Sequence, residues 1–208
     1  LSLTPAQAHR LLNLAARFDF RIVEDDVFRD LQSVPTQRLA ALDGLNRVLH
    51  LGGFSKTISA ALRVGFIAAP AETIRHLTDL KLATTFGNNQ VSAQLVHRML
   101  EDGSYRKHVS AIRDRLRRVT PPLRRKLQST GLRSWVMAEE GMFLWMQLPE
   151  GIPDATTLAR DAIAQRIVLA PGAVFSPSKH WQDFLRINIA QSQSPRLIAF
   201  LGDALTLS

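Results

Sequence analysis

One lysine stands in a run of small residues just beyond an apolar strand. The segment Gly52-Gly53-Phe54-Ser55-Lys56-Thr57-Ile58-Ser59 follows Val48-Leu49-His50-Leu51, and Arg63 comes seven positions after Lys56. Small neighbours let a bulky ligand approach the backbone, and a guanidinium offers a fork for an anionic group. A lysine amine is a nucleophile only when unprotonated, so it needs a depressed pKa or a carbonyl partner that traps it. Together these features point to a lysine that bonds covalently to a phosphorylated cofactor. The competing reading is a surface lysine in a polar loop.

Asp25 belongs to the same picture. It sits in Glu24-Asp25-Asp26, just past a short apolar strand at Arg21-Ile22-Val23 and 31 residues before Lys56. Strand ends of an α/β sheet converge on one crevice, so the carboxylate and the amine can reach the same ligand. A carboxylate aimed at a pyridine nitrogen favours the pyridinium form and makes the ring an electron sink. A solvated acidic turn and a magnesium site of clustered carboxylates are the alternatives. Arg63 would hold phosphate bidentately, helped by the hydroxyl of Ser55 or Thr57. Arg186 lies mid-strand in Phe184-Leu185-Arg186-Ile187-Asn188-Ile189. A buried arginine needs an anion, either an internal carboxylate or that of a substrate. A Walker phosphate loop is excluded, because Ser55 and His50 occupy its glycine positions, and no G-x-S-x-G elbow occurs.

Around these residues, 208 positions suffice for one core, or one core and a smaller lobe. Cysteine is absent and six histidines are scattered, which removes thiolate chemistry and any helical zinc pair. No apolar run spans a bilayer and no signal peptide is evident, so the expected location is the cytoplasm. The net charge of +8 is concentrated between Arg106 and Lys126. Val109, Ile112, Leu116, Val119, Leu123 and Leu127 recur there at three- and four-residue steps, which makes the basic residues the solvated face of a helix. No nucleic-acid-binding pattern accompanies them.

The elements that must position the candidate residues are α/β in style. Thr4-Pro5 caps a first helix. Strands follow at 21–23, 48–51 and, buried, from Arg63 to Ala69. Helices are expected from Ala71 to about Leu82, from Gln90 to Leu100 and from Ser104, the last broken or kinked by Pro121-Pro122. After a loop carrying Pro35 earlier in the chain and a boundary near residue 104, strands are expected at 143–148, 167–169 and 184–189, with a helix at 156–165. This second part reads as a small α/β lobe.

The segments 22–28 (IVEDDVF), 47–70 (RVLHLGGFSKTISAALRVGFIAAP) and 184–190 (FLRINIA), supported by 141–149 (GMFLWMQLP) and 169–175 (LAPGAVF), resemble the fold-type I pyridoxal-phosphate enzymes of aminotransferase class I and II. The nearest likeness is to the aminotransferase-like domain of MocR-type regulators of the GntR family. The resemblance implies a mainly parallel large-domain sheet with helices over 1–104 and a small C-terminal α/β domain over 105–208. It implies pyridoxal 5'-phosphate as cofactor, Lys56 as the Schiff-base lysine, Asp25 against the ring nitrogen, and Ser55 and Arg63 on the phosphate. Arg186 becomes the clamp on the α-carboxylate of an amino acid or 2-oxo acid. A homodimer without direct nucleic-acid or membrane binding is the implied form. Phe28 stands where the family commonly has a tyrosine, so it keeps the packing against the cofactor and lacks the hydroxyl. Gly53 replaces a usual phosphate-binding serine or threonine. The family's upstream phosphate loop has no counterpart in the sequence, which reads as the C-terminal portion of a longer protein. Three roles remain open: an aminotransferase, a cofactor-bearing effector sensor, or an inactive fragment of either.

Overall fold

The computed structural model describes residues 3–32, 37–136, 141–152 and 154–205. They fall into two compact units, Leu1–Ile112 and Arg113–Ser208. The loop at Pro35 lies outside the described residues.

The first unit opens with helix α1 (Pro5–Arg17), whose start is fixed by a reciprocal capping box. Thr4 Oγ1 accepts from Gln7 N–H, and the Gln7 side chain accepts from Thr4 N–H. Strand β1 (Ile22–Asp25) pairs in parallel with β2 (Val48–Gly53), Asp25 lying opposite Leu51. Parallel strands need a crossover, and here it contains the short helix α2 (Leu39–Asp43). Asp43 ties that helix to β2, its Oδ2 accepting from the N–H groups of Arg47 and Val48. Ala8, Leu39, Ala40 and Val48 form the core on this side of the sheet, with Leu11, Leu12, Ile22 and Leu45 packed against it. The ladder alternation therefore turns Ile22 and Glu24 inward, and Val23 and Asp25 to the opposite face.

Strand β3 (Gly65–Ala68) pairs antiparallel with β2, so this sheet is mixed rather than mainly parallel. The expected buried strand is instead an exposed edge, with Phe66 and Ile67 each nearly half accessible. Gly52 faces Phe66 across the ladder, and a Cβ on Gly52 would lie 2.2 Å from the phenyl ring. A side chain at position 52 would have to displace the Phe66 ring. Helices α3 (Ala71–Thr85), α4 (Gln90–Glu101) and α5 (Ser104–Gln128) follow. Helix α5 runs on through Pro121 and Pro122, so of the expected break or kink the break does not occur. Val109, Leu116, Thr120, Leu123 and Leu127 are buried along one stripe, and Thr120 Oγ1 donates to the Leu116 carbonyl at 2.7 Å. Side packing on both sides of the prolines keeps the helical path despite the lost donors.

The second unit holds an antiparallel sheet of β4 (Arg133–Ser134), β5 (Phe143–Gln147) and β6 (Phe184–Asn188) in that order. Leu144, Met146, Leu185 and Ile187 point into the core, together with Leu158 and Ala162 of α6 (Ala155–Ala164) and Leu197, Phe200 and Leu201 of α7 (Pro195–Leu205). Residues 167–169 are not a strand. Only Pro171 bridges to Leu185, and Arg186 N–H donates to the Ala170 carbonyl. The apolar run passes beside β6 without entering its ladder. Helices α2 and α7 and strand β4 have no counterpart in the sequence reading.

Asp154 caps α6, its Oδ1 accepting from Thr156 N–H at 2.6 Å and Thr157 N–H at 2.8 Å. The Thr157 N–H is the main reason its carboxyl titrates below the ordinary range. Asp154→Ala should cost about 1 kcal/mol of stability at neutral pH. Because the folded pKa is depressed, this contribution is present above the ordinary aspartate range and disappears as pH falls through the lowered value. Thermal melts of both proteins from neutral to acid pH should converge at the acid end.

Candidate active site

Lys56 lies in a single helical turn after β2, with Ile58 N–H donating to the Phe54 carbonyl at 2.8 Å. The loop is closed at its far end by Phe54 N–H donating to the Val64 carbonyl at 3.1 Å. Arg63 sits just before that closure, exposed and in the left-handed conformation at φ 54°. Ser55, Lys56 and Arg63 thus share one closed loop. The Lys56 side chain is exposed, and its Nζ stands 5.5 Å from the centre of the Phe28 ring.

Phe28 arrives there through the turn that ends β1. Asp26 N–H continues the parallel ladder to the Leu51 carbonyl, and Val27 N–H donates to Asp25 Oδ1 at 3.3 Å. The structure therefore brings Lys56 against Phe28, with Asp25 at the base of the turn that carries Phe28. Asp25 faces the exposed side of the sheet. Its neighbours diverge from it. Glu24 accepts from the N–H groups of Leu39 and Ala40 at the start of α2 and meets His50 Nδ1 at 3.3 Å. Asp26 binds Arg38 at 3.0 Å. Two of the three carboxylates thus serve the scaffold, which disfavours the magnesium reading. Among the described residues no group of three potential metal ligands occurs.

Residues that the sequence reading missed anchor the lysine loop from α5. Thr57 is buried, its hydroxyl 3.1 Å from Tyr105 Oη and its carbonyl 2.8 Å from His108 Nε2. Tyr105 also donates to Asp30 Oδ2 at 2.5 Å. The signal available was that Tyr105 is the only tyrosine in the chain. Tyr105→Phe keeps the ring against Phe54 and removes the hydroxyl, so chemical denaturation should show a loss of about 1–2 kcal/mol.

Arg186, in the second unit, is half-buried on β6. Its guanidinium lies 4.5 Å from the centre of the Phe143 ring and 4.0 Å from that of Phe175. Gly172 makes this possible: a Cβ there would meet the Trp181 carbonyl at 2.4 Å, so only a glycine lets the Gly172–Phe175 turn settle beside β6. Aromatic faces hold the cation by its flat sides and leave the edge donors for an in-plane anion. Among the described residues no carboxylate forms an ion pair with Arg186. The internal salt bridge of the sequence reading is thus not the arrangement seen among them.

Lys56 and Arg63 on one small-residue loop, and Asp25 at the end of the neighbouring parallel strand, thus belong to the same α/β unit. Comparison with known proteins gives the family. The profile of aminotransferase class I and II matches residues 1–201, and the chain belongs to that family. Aromatic-amino-acid aminotransferase 1 of Thermococcus litoralis is 32% identical over 86% of this chain and 44% of its own length. The HTH-type transcriptional regulator NorG of Staphylococcus aureus is 30% identical over 84% of this chain and 40% of its own. Among solved structures, the α-aminoadipate aminotransferase LysN of Thermus thermophilus, complexed with N-(5'-phosphopyridoxyl)-L-leucine, superimposes with a TM-score of 0.81 at 28% identity. The match covers 98% of this chain and 55% of that one. The chain therefore spans about half the length of the proteins it matches. Among its described residues no helix is long and apolar enough to cross a membrane.

Proposed function

We propose that this chain contributes the lysine-bearing part of a pyridoxal-phosphate-dependent aminotransferase, moving an amino group between an amino acid and a 2-oxo acid in the cytoplasm. Residues 1–104 are assigned to the cofactor-binding large domain and 105–208 to the small domain of a homodimer. The observation that carries this reading is the placement of the Lys56 amine over Phe28, with Asp25 at the root of the same turn and Arg63 on the same loop.

The donor set fits the cofactor group by group: an amine for an aldehyde, a carboxylate for a ring nitrogen, a guanidinium and a hydroxyl for a phosphate. The chemistry that bound pyridoxal phosphate supplies is a reactive carbonyl and a ring that draws electrons from the substrate α-carbon. Lys56 would hold the carbonyl carbon and would move the proton at the substrate α-carbon. Asp25 would stabilise the protonated ring nitrogen. Arg63 and Ser55 would hold the phosphate, and Phe28 would pack against the ring. Arg186 would take the substrate α-carboxylate.

Similarity to NorG favours a second reading, in which the same site captures an effector amine without turnover. One assay separates them: add pyridoxal phosphate and a panel of amino acids, then follow both the visible spectrum and 2-oxo acid release. Release supports the enzyme. An amine-dependent spectral change without release supports the sensor, and an unchanged spectrum refutes both.

A further inference from the structure

Helix α5 carries the whole net charge of the chain. Nine lysines and arginines fall within Ser104–Gln128 against one acid, Asp114. The rest of the chain holds 17 basic and 17 acidic residues, which cancel. The charge of +8 is therefore a local field along one rod rather than a diffuse property of the surface.

In the second unit this helix turns Leu116, Thr120, Leu123 and Leu127 into the core. Helical periodicity sets Arg118 and Arg125 opposite that stripe, flanked by Arg115 and Lys126, and all four are exposed. From Arg115 to Lys126 the helix rises about 16 Å. Asp114, the one acid, is taken by Arg117 at 3.5 Å. Among the described residues no carboxylate forms an ion pair with Arg115, Arg118, Arg125 or Lys126. Arg115 and Arg118 are three positions apart, where like charges destabilise a helix and an anion would relieve them.

The character of this face limits what can cover it. Between Arg113 and Gln128 its exposed side chains are charged or polar, apart from Pro121 and Pro122. A protein partner needs aromatic or aliphatic anchors, and a bilayer surface needs an apolar helix face to insert. A single nucleic-acid strand needs aromatic platforms for its bases. A duplex needs none of these, because its phosphates stand outward at regular steps and bind guanidinium forks directly. Three of the four cations are arginines, the side chain suited to phosphate.

We propose that the outer face of α5 from Arg115 to Lys126 binds the phosphate backbone of a nucleic-acid duplex without regard to sequence. The inference rests on no reading of Lys56, and it departs from the family resemblance, which implies no nucleic-acid contact.

The test is a fluorescence-anisotropy titration of the full chain, without cofactor, against a labelled DNA duplex of about two helical turns over a series of salt concentrations. With four phosphate contacts the logarithm of the binding constant should fall against that of salt with a slope of about −3 to −4. Arg118→Gln with Arg125→Gln should flatten the slope by about 2 and weaken binding at low salt at least about tenfold. Glutamine suits an exposed helix position, and circular dichroism checks that the fold is kept. Arg10→Gln with Arg160→Gln removes the same charge from exposed positions on α1 and α6 and should leave the slope unchanged. Absent binding, a slope that survives the α5 pair, or an equal loss in the control pair would overturn the proposal. So would the matching single strand, oligoglutamate or phosphatidylserine vesicles binding as tightly as the duplex.

Discussion

Lys56→Ala is expected to abolish covalent capture of pyridoxal phosphate and to slow exchange of the substrate α-proton by about 10²–10⁴-fold, the usual contribution of a positioned acid–base group. The loss has two sources, because one amine carries two roles. It is the only lysine in the loop that β2 and β3 close between Phe54 and Val64. The substitution should leave the fold intact. Lys56 is exposed, and the anchors of its loop are the Thr57 hydroxyl and carbonyl on Tyr105 and His108. Deuterium exchange at the amino acid α-carbon, followed by NMR, measures the effect. Near-normal exchange in a folded Lys56→Ala protein would place the base elsewhere.

Asp25→Ala should preserve covalent capture at Lys56 and slow α-proton exchange by about 10²–10³-fold, as expected when a preorganised charge facing the reacting system is lost. Alanine leaves the ring nitrogen without an anionic partner, so the neutral ring is favoured and draws electrons less strongly. The two effects are separable because Asp25 ends β1 whereas Lys56 follows β2. The side chain contributes little to the scaffold: among the described residues it accepts from Val27 N–H, whereas Glu24 and Asp26 hold α2 and Arg38. Asp25→Asn should fall with alanine rather than with the parent. Exchange unchanged in both variants would mean that the carboxylate has another task.

The sequence disclosed the local pieces of this arrangement better than their partners. Thr4-Pro5, the period along α5 and the apolar runs of β5 and β6 are short-range signals, and those elements form where the residues indicate. Pro121-Pro122 misled because propensity acts on an isolated helix, whereas Val109, Leu116, Leu123 and Leu127 bury a continuous face that overrides it. Residues 167–169 look like a strand, yet an apolar run beside a sheet carries no mark that distinguishes pairing from packing. The sequence spacing of Lys56 and Arg63 could be read directly. The grip of Tyr105 and His108 on Thr57, and the aromatic faces around Arg186, are long-range contacts without local signature.

The most direct measurement is site mapping of the cofactor. The purified chain is incubated with pyridoxal phosphate, reduced with borohydride, digested and examined by peptide mass spectrometry. A stoichiometric phosphopyridoxyl adduct on Lys56, absent from Lys56→Ala and present in Asp25→Ala, is the predicted result. An unmodified Lys56, or label spread over surface lysines such as Lys81, Lys107 and Lys126, would contradict the assignment of the site.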